Sequence, residues 1–182
     1  MRCFLVLSML ATSAVASTCP PAPDHDAALD ALFSEIQSAP TQTDGLILGQ
    51  GLWAFWADAP DEKAQGLLNY GMELRNARDF SGALDAFGEL ISYCPNYAEG
   101  YNQRAIIRFV QQDFEAVLPD LDRALSLSPR HLGALSGRAM TLIALGRDYE
   151  AQTDLLAALA LNPWLPERRF LLPPPEDADQ EL

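Results

Sequence analysis

The chain has 182 residues, 49% of them hydrophobic, enough for one domain with a sizeable core and tails at either end. Its 25 acidic against 12 basic side chains give a formal net charge of −13, which repels phosphate backbones and anionic headgroups and sets aside nucleic acid and membrane surfaces as partners. Lys63 is the one lysine, so the positive charge is almost all arginine, which favours planar, paired contacts over loose solvation.

Residues 1–16 read as a secretory signal peptide. Met1-Arg2 is a short positive start, Cys3 to Ala11 is apolar, and Ala14-Val15-Ala16 offers a small-x-small cleavage site before Ser17. The apolar stretch falls well short of the ~20 residues a membrane-spanning helix needs, so no membrane insertion is expected after the signal is removed. A lipoprotein acylated at Cys19 is an alternative, but Ala16-Ser17-Thr18 lacks the Leu three places ahead and the Gly or Ala just ahead that mark such a site. Export places the chain in the periplasm if the source is Gram-negative, and otherwise outside the cell. Cys3 leaves with the signal. Cys19 and Cys94 remain and are expected to pair in an oxidising compartment, two free thiols being the alternative.

Residues 17–25 form an extended arm, because Cys19-Pro20-Pro21-Ala22-Pro23 cannot be helical. Residues 26–59 read as a helix pair. Asp24 or Asp26 caps the first helix, which runs to about Ser38 with Ala28, Leu29, Leu32, Phe33 and Ile36 on one face. Thr41-x-x-Asp44 is a capping-box-like start for the second, which runs to about Trp56 with Leu48, Leu52, Phe55 and Trp56 as its stripe. Pro60 closes the pair.

Residues 60–164 repeat with a period of 34. Pro95, Pro129 and Pro163 share that spacing, as do Gly71, Ala105 and Ala139. So do Ala83, Val117 and Ala151, then Phe87, Leu121 and Leu155, then Leu90, Ala124 and Ala158. Each unit reads as two amphipathic helices joined by a tight turn, at Arg78-Asp79-Phe80, Gln112-Asp113-Phe114 and Gly146-Arg147-Asp148-Tyr149. After Pro163, residues 165–172 are expected to cap the open end, with Trp164, Phe170 and Leu172 on its apolar face; a free binding motif is the alternative. Residues 173–182 form an acidic tail, expected to be disordered.

The pattern resembles the tetratricopeptide repeat (TPR) family. The motif appears as Leu67, Gly71, Ala83, Phe87, Leu90 and Pro95 in the first unit. It continues as Tyr101, Ala105, Val117, Leu121, Ala124 and Pro129, then as Leu135, Ala139, Ala151, Leu155, Ala158 and Pro163. Arg108 departs from it by standing where an aromatic or Leu is usual, Pro119 falls inside a second helix and should bend it, and Tyr149 lies one place late. The resemblance covers about 64–164, and 26–59 weakly as a degenerate fourth pair. It implies an all-α, right-handed TPR solenoid of three helix–turn–helix repeats, with that degenerate N-terminal pair in front and a short C-terminal cap.

The resemblance also implies a concave groove lined by the first helix of each unit. In the first unit its exposed positions are Gln65, Leu68, Asn69, Met72, Arg75 and Asn76. The second adds Glu99, Asn102, Gln103, Ile106 and Phe109, and the third Gly133, Ser136, Gly137, Met140 and Ile143. Some family members bind a C-terminal carboxylate there with a lysine–asparagine clamp. This chain has Leu68 and Met72 at the first clamp positions and Gly133 and Gly137 at the basic ones, so that clamp is absent. A mixture of amides with Met, Ile and Phe suits a peptide or helix with apolar anchors. The expected binding set is Asn69, Met72, Arg75, Asn102, Ile106, Phe109, Ser136 and Met140, although the N-terminal helices or a second copy of the chain could fill the same groove.

No pattern of catalysis, metal ligation or cofactor binding emerges. His25 and His131 lack partners at metal-ligand spacing, and Asp24-x-Asp26 lacks the glycine and glutamate of a calcium loop. One polar constellation stands out. Arg104 and Arg138 share a repeat position, Asp120 and Asp154 lie sixteen residues after each, and the first unit changes both positions together, to Tyr70 and Ala86. These read as salt bridges between the two helices of one unit, with a ligand-binding arginine pair as the alternative. The expected function is an exported adaptor that holds a protein or peptide. A self-assembling structural module is the other reading, and the oligomeric state is left open.

Overall fold

The computed structural model describes residues 19–173, so the segment expected to be a signal peptide and nearly all of the acidic tail lie outside the described residues. All regular structure among them is helical. Helix α1 spans Asp26–Gln37 and buries Leu29, Phe33 and Ile36, spaced as one face of a helix. Its N-cap is His25, neither of the aspartates, and Asp24 Oδ1 accepts the Asp26 N–H at 2.9 Å from one residue further out. Helix α2, Gln42–Gln50, opens on Thr41, whose Oγ1 accepts the Asp44 N–H and donates to Asp44 Oδ2 at 2.6 Å. The expected continuous run to Trp56 is interrupted at Gly51, and α3 follows as Leu52–Trp56. The Gly51 N–H bonds to Leu48 O, which tightens the turn, and a side chain there would press on Leu32 of α1.

The repeats follow as α4 (Glu62–Asn76) with α5 (Phe80–Tyr93), α6 (Ala98–Val110) with α7 (Phe114–Leu127), and α8 (Leu132–Ala144) with α9 (Asp148–Leu161). The first helix of every unit ends in one left-handed residue: Arg78 at φ 62°, Gln112 at 63° and Gly146 at 72°. The next N–H then reaches five residues back, from Asp79 to Leu74 O, Asp113 to Arg108 O and Arg147 to Leu142 O. This closes each helix with a Schellman motif. Within each unit, a small residue faces a large one across the helix pair. Gly71 lies against Phe87, whose ring a Cβ would strike, whereas Ala at the same position in the other units pairs with the smaller Leu121 and Leu155. Helix α7 runs on through Pro119 because that proline sits on the exposed side, where water can satisfy the carbonyl it leaves free.

The N-terminal pair does not stack in front of α4. It folds back across the junctions between units. At one end the Tyr97 hydroxyl donates to Trp56 O at 2.7 Å. In the middle Arg130 pairs with Asp26 at 2.9 Å and with Asp30. At the far end Gln37 Nε2 donates to Ala160 O at 2.7 Å, and Trp164 Nε1 to Ile36 O at 2.8 Å. Leu29, Phe33, Ile36 and Leu52 thereby share one core with Leu125, Leu132 and Leu135. Burial here also pushes the Tyr97 phenol far above its usual titration range, with the Glu99 and Asp58 carboxylates adding to the shift.

The end cap differs from expectation in the same way. A 3-10 turn over Pro166–Phe170 lays Phe170 on Ala139, Leu142, Ala151 and Leu155, while Gln152 bonds Phe170 O and the Leu172 N–H. Trp164 is taken by the N-terminal pair, and Leu172 stays exposed. The Trp164 ring packs directly on Gly45 of α2, leaving no room for a methyl group. Gly45→Ala should therefore cost about 1–3 kcal/mol through overpacking. Gly66→Ala, in open space on α4, should gain about 0.5–1 kcal/mol from helix propensity. Thermal melts of both variants test the docking, and a Gly45→Ala protein as stable as the parent would refute it.

Candidate functional site

Two environments divide the concave face. Towards the N-terminal ends of α6 and α8 it is covered. The Trp56 ring stacks on His131 with centroids 4.2 Å apart. His131 Nδ1 accepts the Ala134 N–H at 3.2 Å, so Nε2 carries the proton and donates to Glu99 Oε2 at 2.7 Å. Asn102 Nδ2 bonds both Glu99 oxygens, Gln103 Nε2 bonds Oε1 at 2.5 Å, and Arg75 Nη1 donates to Gln103 Oε1 at 2.6 Å. Glu99, Asn102 and Gln103, expected to be exposed in the groove, are buried. Repeat register alone cannot reveal this, because the lid is Trp56, which lies outside the repeats. Leu68, also expected in the groove, is buried in the core of the first unit.

Further along α6 and α8 the face is open. A pocket of about 280 Å³ has Ile106 and Phe109 on one wall and Ser136 and Met140 on the other, with Val117 and Leu121 beneath. Gly133 and Gly137 widen it, since neither puts a side chain between α6 and α8; a Cβ on Gly137 would press on Leu121 at 3.3 Å. Glu167 reaches the pocket from the cap. Ser136 Oγ and Glu167 Oε2 are both buried there without a hydrogen-bond partner among the described residues, a state that costs each about 1–3 kcal/mol.

Five of the expected groove residues, Asn102, Ile106, Phe109, Ser136 and Met140, thus line one pocket. The other three lie apart. Asn69 is exposed and accepts from Gln65, Met72 packs on the core of the first unit, and Arg75 is held by Gln103. Sequence reasoning missed Glu167, whose short 3-10 turn carries no periodic signal.

The arginine–aspartate constellation lies between the helices of single units. Arg104 grips Asp120 through Nε at 2.9 Å and Nη2 at 2.6 Å, and Arg108 Nη1 joins the same carboxylate at 2.7 Å. Arg138 grips Asp154 through two bonds of 2.7 Å and reaches Asp122 through Nη1. Hydrogen bonding to these aspartates raises the pKa of Arg104 and Arg138 further above the ordinary range, so both stay charged. Asp120 and Asp154 hold them within their own units, and Arg138 Nη1 crosses to Asp122 on α7 of the second unit.

No family model matches the chain. Tetratricopeptide repeat protein 36 from Bos taurus is 33% identical over 164 residues, covering 82% of this chain and 85% of that protein. This chain belongs to the TPR family. A TPR repeat-containing protein of Rhizobium etli is 30% identical over 120 residues, a match that takes in 66% of this chain and 59% of that protein's length. Among solved structures, the first TPR of Spaghetti (RPAP3) bound to the HSP90 peptide SRMEEVD superposes with a TM-score of 0.57 at 24% identity, over 60% of this chain and 93% of that one. The TPR2B domain of yeast Sti1, in complex with pHsp70, gives 0.55 at 25% identity, over 60% and 90%. The second and third units of this TPR chain carry the open part of its concave face. Among the described residues, no helix is long and apolar enough to cross a membrane.

Proposed function

We propose that this protein is an exported adaptor that holds a peptide or protein partner on the open half of its concave face. The observation that carries the reading is the apolar pocket between α6 and α8, with Ile106 36% exposed on one wall and Met140 opposite. Side chains of this kind anchor a peptide in a groove, and the flexible methionine adapts to its shape. TPR structures of similar fold, one bound to an HSP90 peptide and one in complex with pHsp70, support a peptide or protein as the occupant. The Cys19–Cys94 disulfide supports export, because such bonds persist in oxidising compartments.

The double substitution Ile106→Asp with Met140→Asp tests the groove. It adds two charges to the pocket and leaves the small-against-large packing positions of the repeats untouched. Crosslinking capture from the exported fraction should lose its partners, while circular dichroism and the melting curve stay close to the parent. A folded variant that still retrieves the same partners would move the binding surface elsewhere. A variant whose oligomeric size changes would instead favour self-assembly through this face.

A further inference from the structure

We infer that the pocket between α6, α8 and the cap receives a cationic side chain on an aliphatic stem, a lysine or arginine of the partner, with its charge on Glu167 and its stem between Ile106, Phe109 and Met140. The inference rests on the groove reading above and names what the groove selects.

Two unsatisfied atoms carry it. Glu167 Oε2 and Ser136 Oγ are buried in the same apolar pocket, and neither has a hydrogen-bond partner among the described residues. An ionised carboxylate only accepts hydrogen bonds, so the group that satisfies Glu167 must be a donor, and a cation is the strongest donor available. A purely apolar occupant would leave that oxygen unpaired, and an acidic one would face it with like charge. The walls require the rest of the ligand to be apolar, and lysine and arginine combine such a stem with a charged tip.

Among the described residues, the protein's own cations do not satisfy this carboxylate. Arg104, Arg108 and Arg138 are held by Asp120, Asp122 and Asp154. Arg168 and Arg169 flank Glu167 on the chain but are exposed, and Arg169 lies over the Phe170 ring. Among the described residues no lysine, arginine or histidine forms an ion pair with Glu167. At about 280 Å³ the pocket lies just below the ~300–1,000 Å³ of ordinary small-molecule sites, a size that fits one side chain. A net charge of −13 draws basic segments towards it. The selectivity is opposite to that of the lysine–asparagine clamp, whose basic positions are here Gly133 and Gly137.

The test uses four acetylated, amidated heptapeptides of one apolar sequence that differ only at the central residue: lysine, arginine, norleucine or glutamate. Each is titrated into the full chain while the Ile106 and Met140 methyl signals are followed by NMR. The lysine or arginine peptide should bind about tenfold or more tightly than norleucine, with glutamate weakest. Glu167→Gln should erase that preference. Equal binding of lysine, arginine and norleucine by the parent protein would overturn the cation assignment and leave the groove reading standing, and this comparison needs no variant. A preference that survives Glu167→Gln would also overturn it. If no peptide moves either methyl signal, the assignment fails, and the groove reading is judged separately by partner capture with Ile106→Asp/Met140→Asp.

Discussion

Reducing the Cys19–Cys94 disulfide should lower stability by about 4 kcal/mol and the melting temperature by roughly 10–15 °C. The bond joins residues 75 apart, with Cα atoms 5.1 Å from each other. On the chain-entropy model a loop of that length adds about 4 kcal/mol by restricting the unfolded chain. Its position gives the bond a second consequence. The enclosed segment contains α1, α2 and α3, which lie across the unit junctions, and Cys94 closes the first unit at the end of α5. The bridge therefore anchors the N-terminal pair at one end, and Trp164 anchors it at the other. Breaking the bridge should raise hydrogen exchange in α1 before it does so in α8 and α9. Thiol titration of the unreduced protein should find neither Cys19 nor Cys94. A reduced protein that melts within a degree or two of the oxidised one would show that the bond does not hold the fold.

The solenoid was legible because a repeat states its register several times over. Three prolines and the small-to-large pairs, Gly71 with Phe87, Ala105 with Leu121 and Ala139 with Leu155, fix one spacing, and each pair describes a local contact within one unit. Spacing also set Arg104 opposite Asp120 and Arg138 opposite Asp154, since sixteen residues span one turn between paired helices. Contacts between segments of different period left no such mark. The stripe of Leu29, Phe33 and Ile36 shows that α1 buries a face, but a stripe carries no address, and Arg130 and Trp164, which supply it, lie about a hundred residues or more away. Glu99 looked exposed because the register points it into the groove, and only the arrival of Trp56 over His131 buries it. The pocket was half legible. Ile106, Phe109 and Met140 follow from the register, whereas an unpaired oxygen on Glu167 is a property of three dimensions alone.

Asp120→Ala should destabilise the protein by about 2–3 kcal/mol, and Asp154→Ala by only about 1–2 kcal/mol, although the two aspartates share a repeat position. The units balance charge differently. In the second, one carboxylate with a side chain 4% exposed serves two guanidiniums, Arg104 at 22% and Arg108 at 27%. In the third, Arg138 has two carboxylates, Asp154 of its own unit at 5% and Asp122 of the second unit at 62% exposed. Removing Asp154 leaves Arg138 a partner at the surface, where such a pair keeps up to about 1 kcal/mol. Removing Asp120 leaves two arginines confined beside one another, with like charges and an empty acceptor position. The loss stays below the ~3–5 kcal/mol of a fully buried pair because both guanidiniums retain some contact with water. The first unit shows how the protein does without the cluster, carrying Tyr70, Leu74 and Ala86 at the three equivalent positions. The triple change Arg104→Tyr, Arg108→Leu and Asp120→Ala copies it, and should recover at least half of what Asp120→Ala loses, because no charge is left stranded. Urea denaturation of the two single variants and the triple one decides the matter. Equal losses for Asp120→Ala and Asp154→Ala would show that Asp122 does not compensate. A triple variant weaker than Asp120→Ala would show that the cost comes from the space vacated by the carboxylate, and not from the charges it held.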